Sequence, residues 1–433
     1  MSTHLSPAAA RRVFLILTAT RWLPVGFVIG VFTLFALERG LTIQETLTYF
    51  AAQGVMVLLL ELPTSGFADA FGRKSVLVAA GLINVITGVL YVTANSFWQF
   101  ALAAAFMGIY RALDSGPLEA WFVDTVHLTE PGADVDQALA AQGTIVGVAI
   151  AGGSLASGGL IAWHPIADRS AIAFPIVVSI AFAVLHLVLT LALVHEPRLA
   201  NKSTRVRQAL DSAKDTPKVI VDGLTLLRHN RILAGIVGVE LFWVIGMTVF
   251  ESMLPIRMAE MLGSTTDAGA LLGPVAAAGW AVFALGSVIA GRSMKRWGVV
   301  RAAIAARIFN GLGAAVMGLM LGPVGLVGAY LVTYMLHGVG GAPHATLLHR
   351  EASAHNRATV LSMNSMVMFA GGAVAAPAIG WLAQTTSVQT AMVVAGLVSV
   401  FGAFLYLPAL RHERTLRRGD DKGLDGDAAP TPA

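Results

Sequence analysis

Six ionisable side chains lie inside otherwise apolar stretches of the sequence, and their chemistry is the most informative part of it. They are Arg21, Glu61, Arg111, Asp114, Glu240 and His337. A charged group near the centre of a lipid bilayer costs about 2.5 to 3.5 kcal/mol, so each of these residues needs a partner, water or a function. Together they can carry protons, bind a charged solute or neutralise one another in ion pairs.

The three carboxyl groups are the candidates for proton coupling. Burial among apolar groups favours the protonated form of a carboxyl group, which is the property that a proton carrier needs. Glu61, Asp114 and Glu240 therefore form one candidate set. The alternative for Asp114 is a local ion pair with Arg111, which lies three residues before it on the same helix face. By contrast, Asp124, Glu38 and Glu251 are predicted to be solvated residues at the ends of membrane helices.

The other ionisable residues also have structural alternatives. Arg21 can extend its guanidinium towards lipid headgroups, and His337 can be a packed histidine between helices. Neither alternative is excluded by the sequence.

The composition identifies the elements that must position these residues as membrane helices. The chain has 433 residues, of which 56% are hydrophobic and only 12% charged. Ordinary soluble domains carry about twice that share of charge, so the sequence predicts an all-α protein with many membrane spans. Its net charge of +4 lies mainly in loops, so no nucleic-acid partner is expected. The absence of cysteine excludes disulfides and thiol catalysis.

Twelve apolar runs are long enough to cross a bilayer. The predicted spans cover residues 13–37, 46–68, 76–94, 98–122, 139–163, 171–194, 232–256, 269–292, 301–321, 325–348, 359–383 and 388–410. Basic residues concentrate in every second loop, and such loops face the cytoplasm. We therefore expect a multi-pass protein of the plasma (inner) membrane with both termini in the cytoplasm and an uncleaved first span.

The longest polar interruption divides the spans into two sets of six. The predicted organisation is a six-helix bundle over 1–194, a central cytoplasmic loop over 195–231, a second six-helix bundle over 232–412 and a disordered tail over 413–433. Thr216 and Pro217 can begin a short interfacial helix within the loop. At an offset of 226 residues, Gly72, Asn84 and Pro117 coincide with Gly298, Asn310 and Pro343, which indicates a duplication.

A turn rich in polar residues connects predicted spans 2 and 3. Its residues are Ser65, Gly66, Asp69, Gly72, Arg73 and Lys74. This pattern resembles the signature between helices 2 and 3 of the major facilitator superfamily, G-x-x-x-D-x-x-G-R-K, with Ser65 at the first glycine position. The resemblance implies two pseudo-symmetric six-helix bundles that rock around a midplane site, and a turn that latches the cytoplasmic side.

In that superfamily helices 1, 4, 7 and 10 line the central cavity. The resemblance therefore implies a substrate site formed by Arg21, Trp22, Tyr110, Arg111, Glu240, Trp243 and His337. Arg111 and Gly116 are also similar to the R-x-x-x-x-G signature of helix 4 in the drug:proton antiporters of the superfamily. Helix 5 of such antiporters usually carries G-x-x-x-G-P-x-x-G-G, whereas residues 147–159 here are rich in glycine and contain no proline.

The sequence favours transport over catalysis. It has no H-E-x-x-H, G-x-S-x-G or phosphate-loop motif, so we expect no enzyme activity, metal or cofactor and a proton gradient as the driving force. The leading hypothesis is a monomeric secondary transporter, surrounded by lipid, that exports drug-like or amphipathic molecules in exchange for protons. The alternatives are proton symport or facilitated uptake of a small anionic metabolite held by Arg21 and Arg111, and a non-transporting receptor or scaffold.

Overall fold

The computed structural model describes residues 5–64, 67–196, 216–353 and 356–415. All regular elements in these ranges are helices. We number the membrane-spanning helices as spans 1 to 12 in chain order. Each corresponds to one predicted span, so the all-helical fold with twelve spans is confirmed.

The first half of the chain contains six spans. Span 1 is Pro7–Val28 with Val31–Glu38, span 2 is Ile43–Thr64, span 3 is Arg73–Thr93, span 4 is Phe97–Asp114 with Pro117–Thr129, span 5 is Asp136–Trp163 and span 6 is Ala173–Leu193. A short helix, Phe67–Phe71, lies between spans 2 and 3.

The second half begins with the amphipathic helix Thr216–His229, which was predicted to start at Thr216. Span 7 is Arg231–Met247 continued by the π-helix Thr248–Met253 and by Leu254–Leu262, span 8 is Thr265–Trp297, span 9 is Val299–Leu319, span 10 is Pro323–Glu351, span 11 is Arg357–Thr385 and span 12 runs from Val388 to Thr415. Residues 197–215 of the predicted central loop and residues 416–433 of the predicted tail lie outside the described residues, and the boundaries of the domains stay a prediction.

Span 4 differs from the other spans because its helix is interrupted. Eleven helices in the described residues are each long and apolar enough to cross a membrane, and span 4 is not among them. Gly116 has a φ of +92°, which favours glycine, and Pro117 begins the next helix without a backbone donor. The interruption exposes the last carbonyl groups of Phe97–Asp114 to other partners.

The predicted duplication is visible in the helix bounds. Spans 3 and 9 are Arg73–Thr93 and Val299–Leu319, so both ends differ by the same 226 residues. Before them, Gly72 and Gly298 have φ values of +90° and +86°. The two halves therefore repeat the same turn followed by a helix of the same length.

Glycines bring the spans into close contact. A Cβ atom on Gly153 of span 5 would lie 2.4 Å from the carbonyl oxygen of Leu23 in span 1. One on Gly273 of span 8 would lie 2.4 Å from the carbonyl oxygen of Ser154 in span 5. Small residues permit such approach, which is how helices associate where lipid removes most of the hydrophobic driving force. The second contact joins the two halves.

The packing differs between the two faces of the protein. We call the face at which the described residues begin, at Leu5, and end, at Thr415, the terminal face, and the opposite face the far face. At the far face one buried cluster contains residues of both halves, among them Leu34, Phe100, Met253 and Leu272. Near the terminal face the first half has its own cluster around Phe14 and Trp121, and the second half has its own around Ile236 and Leu347. Among the described residues, no buried cluster near the terminal face includes both halves. The halves are therefore sealed together at the far face. We call this arrangement, in which the described residues form no shared buried cluster near the terminal face, the parted state.

We expect Gly273→Leu to open the far-face seal, because a side chain at Gly273 would meet the backbone of span 5. Gly159→Leu is the matched control, since a Cβ atom there meets nothing within 4 Å. The chain has no cysteine, so Gln53→Cys provides a single labelling site inside the protein. A membrane-impermeant maleimide applied at the far face should label this cysteine several times faster in the Gly273→Leu background. Equal rates in the two glycine variants would contradict the seal.

Candidate functional site

An ion pair between spans 1 and 4 lies at the centre of the first half. Nε of Arg21 contacts Oδ2 of Asp114, and the Arg21 Nη2 donates a hydrogen bond of 3.3 Å to the Asp114 backbone oxygen. The Asp114 side chain is 4% exposed. Its carbonyl group is free to accept because the helix ends there, before Gly116. The broken span thus provides both a carboxylate and a carbonyl group to a single guanidinium.

A second group of ionisable side chains lies where the two halves meet. Glu61 of span 2 has Arg111 of span 4 and Ser365 of span 11 as polar neighbours. The Arg111 guanidinium lies 5.7 Å from the centre of the Phe369 ring, also on span 11. Oε2 of Glu61 is buried and has no hydrogen-bond partner. This carboxyl group therefore has an unused acceptor at the boundary between the halves.

These residues surround a cavity of about 420 Å³. It is lined by spans 1, 2, 4 and 11, with the side chains of Arg21, Trp22, Val25, Val28, Gln53, Val57, Glu61, Met107, Tyr110, Arg111, Asp114, Ser115, Ser365, Met368 and Phe369 among its walls. On each of these spans the lining residues lie closer to the terminal face than the residues of the far-face seal do. The cavity therefore lies next to the far-face seal, on the side towards the terminal face.

A smaller cavity of about 190 Å³ adjoins the first. The two share Gln53, Arg111, Met368 and Phe369 as walls. Span 7 contributes Val244, Met247, Thr248, Glu251 and Ser252 to the smaller one. The two cavities form a bipartite space between the halves, and Arg111 lies where they adjoin.

Most of the candidate residues of the first half meet at this space. The larger cavity is lined by Arg21, Trp22, Glu61, Tyr110, Arg111 and Asp114. Asp114 pairs with Arg21 across two spans and forms no ion pair with Arg111, which was the local alternative. Their roles in binding or proton transfer stay predictions.

The candidates of the second half lie elsewhere. Glu240, Trp243 and His337 do not line either of these cavities. The Trp243 ring is stacked on the His337 ring with 5.5 Å between their centres, and the Arg307 guanidinium lies 5.5 Å from the Trp243 ring centre. His337 is further surrounded by Phe250, Phe283 and Tyr334. Its position thus corresponds to the packed-histidine alternative, inside the second bundle.

Glu240 belongs to a buried polar cluster of spans 7, 9, 10, 11 and 12. Its Oε1 lies 2.9 Å from Nε2 of His344 and 4.0 Å from Nη2 of Arg307. Nδ1 of His344 lies 2.7 Å from the Tyr406 hydroxyl, and Nε2 lies 3.2 Å from Oδ1 of Asn364. This cluster binds five spans of the second half together.

His344 was not among the predicted site residues. A signal for it exists in the sequence, because it follows His337 by seven residues. That spacing is two helical turns, so both histidines occupy one side of span 10.

Glu251 was predicted to be a solvated end residue, and this prediction is wrong. Span 7 continues to Leu262, whereas the sequence placed its end at residue 256. Glu251 therefore lies well inside the span, where Oε1 accepts a hydrogen bond of 2.9 Å from the Tyr334 hydroxyl. No pattern in the sequence indicates the π-helix that carries Glu251.

The turn between spans 2 and 3 is tied to the first half. Arg73 pairs with Asp124 of span 4 at 2.8 Å, and the Glu196 carboxylate accepts hydrogen bonds from the backbone N–H groups of Arg73 and Lys74. Nζ of Lys74 donates a bond of 2.8 Å to the Leu191 carbonyl oxygen. Asp124, predicted to be a solvated end residue, is thus an exposed residue with an ionic partner.

Of the predicted turn motif, Ser65 and Gly66 lie outside the described residues. Asp69 lies in the helix Phe67–Phe71. Gly72 has the positive φ that the motif requires of its glycine.

Removing the carboxylate of Glu240 should destabilise the second half. Glu240→Leu leaves Arg307 buried without its negative partner, and breaking a buried pair costs about 3 to 5 kcal/mol. The thermal unfolding midpoint in detergent should fall accordingly, and adding Arg307→Met should restore much of the loss. Glu260→Gln is the control, because its pair with Arg257 is partly exposed and contributes at most about 1 kcal/mol. An unchanged midpoint for Glu240→Leu would contradict this role of the cluster.

The fold is similar to those of solved transporters. The crystal structure of the nucleoside transporter NupG matches with a TM-score of 0.73 and 12% identity, covering 92% of this chain and 98% of that one. A POT family transporter in complex with 5-aminolevulinic acid matches with a TM-score of 0.65 and 14% identity, covering 93% and 95% of the two chains. These identities establish a shared fold only. A search of curated protein sequences gives no match.

A family model supplies the remaining comparison. The model of the Major Facilitator Superfamily matches residues 14–349, and the chain belongs to this superfamily of membrane transporters, which are carriers and not enzymes.

Proposed function

We propose that the protein is a secondary transporter of the plasma membrane that exports amphipathic, drug-like molecules in exchange for protons. The solute enters the bipartite space from the terminal face, which positive residues predict to be cytoplasmic. Rocking of the two halves then closes that face and opens the far face. We further propose that the protein works as a monomer with both termini in the cytoplasm.

The position of Glu61 is the observation that carries this proposal. Its carboxyl group lines the larger cavity, has a buried oxygen without a hydrogen-bond partner, and lies between residues of both halves. A protonated carboxyl group donates one hydrogen bond, and an ionised one only accepts. Protonation therefore changes what Glu61 can bind at the boundary that must move, which couples a proton to the rocking motion.

The charge distribution favours neutral or cationic solutes over anions. The alternative of an anionic metabolite needs the charges of Arg21 and Arg111 to be available. Arg21 is already neutralised by Asp114, and Arg111 has Glu61 as a neighbour. The remaining walls are largely apolar and aromatic, as drug-binding pockets are. The nucleoside and 5-aminolevulinic acid named for the similar structures are polar, and at such low identity they do not direct this choice.

Glu61→Gln should abolish proton exchange while leaving the protein folded. Glutamine has nearly the same shape but cannot release a proton. In liposomes that contain a pH-sensitive dye and carry an imposed proton gradient, lipophilic cations or neutral drugs should trigger proton movement with the wild type and not with Glu61→Gln. Glu130→Gln, at an exposed loop position, is the matched control and should behave like the wild type.

The same assay tests the alternatives. Proton movement only with small organic anions would support uptake of an anionic metabolite and overturn drug export. Unchanged exchange in Glu61→Gln would exclude this residue as the proton carrier and direct attention to Asp114 and Glu240.

The turn between spans 2 and 3 supports a latch at the terminal face. In the parted state its basic residues are tied to the first half through Asp124 and Glu196. We propose that Asp69 helps this turn to hold the two halves together when the terminal face closes.

Asp69→Asn should therefore slow transport by about tenfold or more, because the closed terminal face loses a charge-assisted contact. Binding of substrate to the parted state should be unchanged. Asp168→Asn in an exposed loop at the far face is the control. Wild-type transport rates in the Asp69→Asn variant, measured in the same liposomes, would refute the latch.

A further inference from the structure

Glu251 is a carboxyl group inside the membrane-spanning part of the protein. The Tyr334 hydroxyl bonds to its Oε1 at 2.9 Å. Among the described residues, no Lys, Arg or His forms an ion pair with it. Oε2 is left for a further partner, and the side chain lines the smaller cavity. A carboxyl group in such a position requires either a proton or a cation.

The π-helix holds this carboxyl group in a fixed place. Within Thr248–Met253, the side chains of Thr248, Glu251 and Ser252 line the cavity. Val249, Phe250 and Met253 are each at most 1% exposed and belong to the far-face cluster. Such wide turns are uncommon and occur frequently at functional sites. One side of the turn therefore presents three polar side chains to the cavity, while the other side is packed in the far-face cluster.

The charges around the bipartite space leave an excess of one carboxylate. Arg21 pairs with Asp114, and Arg111 and Glu61 are neighbours, so these four groups balance. Glu251 adds a negative charge to the smaller cavity when its carboxyl group is ionised. Arg111 also lines that cavity, but its guanidinium lies over Phe369 and next to Glu61. When ionised, Glu251 is therefore the carboxylate of this space without a basic neighbour among the described residues, and it attracts a positive charge locally.

The surroundings of Glu251 fit an organic cation better than a hydrated metal ion. The walls of the smaller cavity include Phe50, Phe369, Met247 and Met368. Aromatic faces attract organic cations, and methionines adapt to irregular apolar shapes. The adjoining cavity of about 420 Å³ lies within the range of pockets that hold drug-sized ligands.

We infer that Glu251 binds the cationic group of a monocationic amphipathic substrate, whose apolar body extends past Arg111 and Phe369 into the larger cavity. The Tyr334 hydroxyl orients the carboxylate, and Oε2 contacts the cation. This inference deepens the proposed function and rests on it for the identity of the site, but it concerns recognition of charge and not the coupling of protons.

Binding of two probes to the purified protein at neutral pH tests the inference. Tetraphenylphosphonium is a monocation, and triphenylphosphine oxide carries the same kind of rings without net charge. Both are titrated into wild type and Glu251→Gln, with binding followed by calorimetry. The substitution should weaken binding of tetraphenylphosphonium by about tenfold or more, as loss of a charged partner does. Binding of triphenylphosphine oxide should change by less than about twofold.

Matched variants separate charge recognition from structure. Tyr334→Phe keeps the carboxylate and should retain the preference for the cation. Glu260→Gln removes a carboxylate of the same span that lines neither cavity, and it should bind both probes like the wild type. The thermal unfolding midpoint of each variant is measured beside its affinity, so that a loss of stability is distinguished from a loss of binding.

Two results would overturn the inference. In the first, Glu251→Gln weakens binding of both probes equally, which indicates a structural role only. In the second, Glu251→Gln leaves binding of tetraphenylphosphonium unchanged, or the wild type does not bind it. The proposed function is tested separately by Glu61→Gln. This variant should lose proton exchange but keep its preference for the cation. A charge preference that depends on Glu251 without any proton exchange would retain this inference and reject antiport.

Discussion

The ion pair between Arg21 and Asp114 is the interaction on which the central space depends. Two charges in a membrane interior are tolerated only when each satisfies the other and the remaining hydrogen-bonding groups have partners. The interruption of span 4 at Gly116 makes this possible, because it releases the carbonyl group of Asp114 for the same guanidinium. With Arg21 held in this way, Glu61, Arg111 and the second half determine what the space can bind.

The two halves repeat one another in outline and differ in how they use charge. Spans 3 and 9 have the same length and begin after the same kind of glycine, yet span 4 is broken while span 10 continues through Pro343. Charged residues of the first half face the space between the halves. In the second half, Glu240, Arg307 and His344 are buried within the bundle. The boundary between the halves therefore takes most of its charge from the first half, and Glu251 is the main exception.

Much of this arrangement is predictable from the sequence, because bilayer thickness dictates helix length and apolar runs reveal the spans. Arg21, Arg111 and Asp114 meet in one cavity, as the resemblance to the superfamily implied for helices 1 and 4. Glu61 of span 2 also lines this cavity, which was not predicted. Glu251 was missed because its depth depends on where span 7 ends, which hydropathy determines only to within several residues. The side of the helix on which Glu240 and His337 lie relative to the cavity could not be predicted, for another reason. A span buried on several sides has no single polar face, so its periodicity does not say which side meets the cavity.

The seal at the far face is built from glycines and apolar side chains. Among the described residues, no hydrogen bond joins the two halves there, and Gly273 of span 8 packs against the backbone of Ser154 and Gly158 of span 5. Such a contact holds by van der Waals attraction alone, without a directional bond that must be broken and remade. Its strength then depends on how tightly the surrounding acyl chains press on spans 5 and 8. The proposed rocking motion thereby becomes sensitive to lateral pressure and to lipid composition.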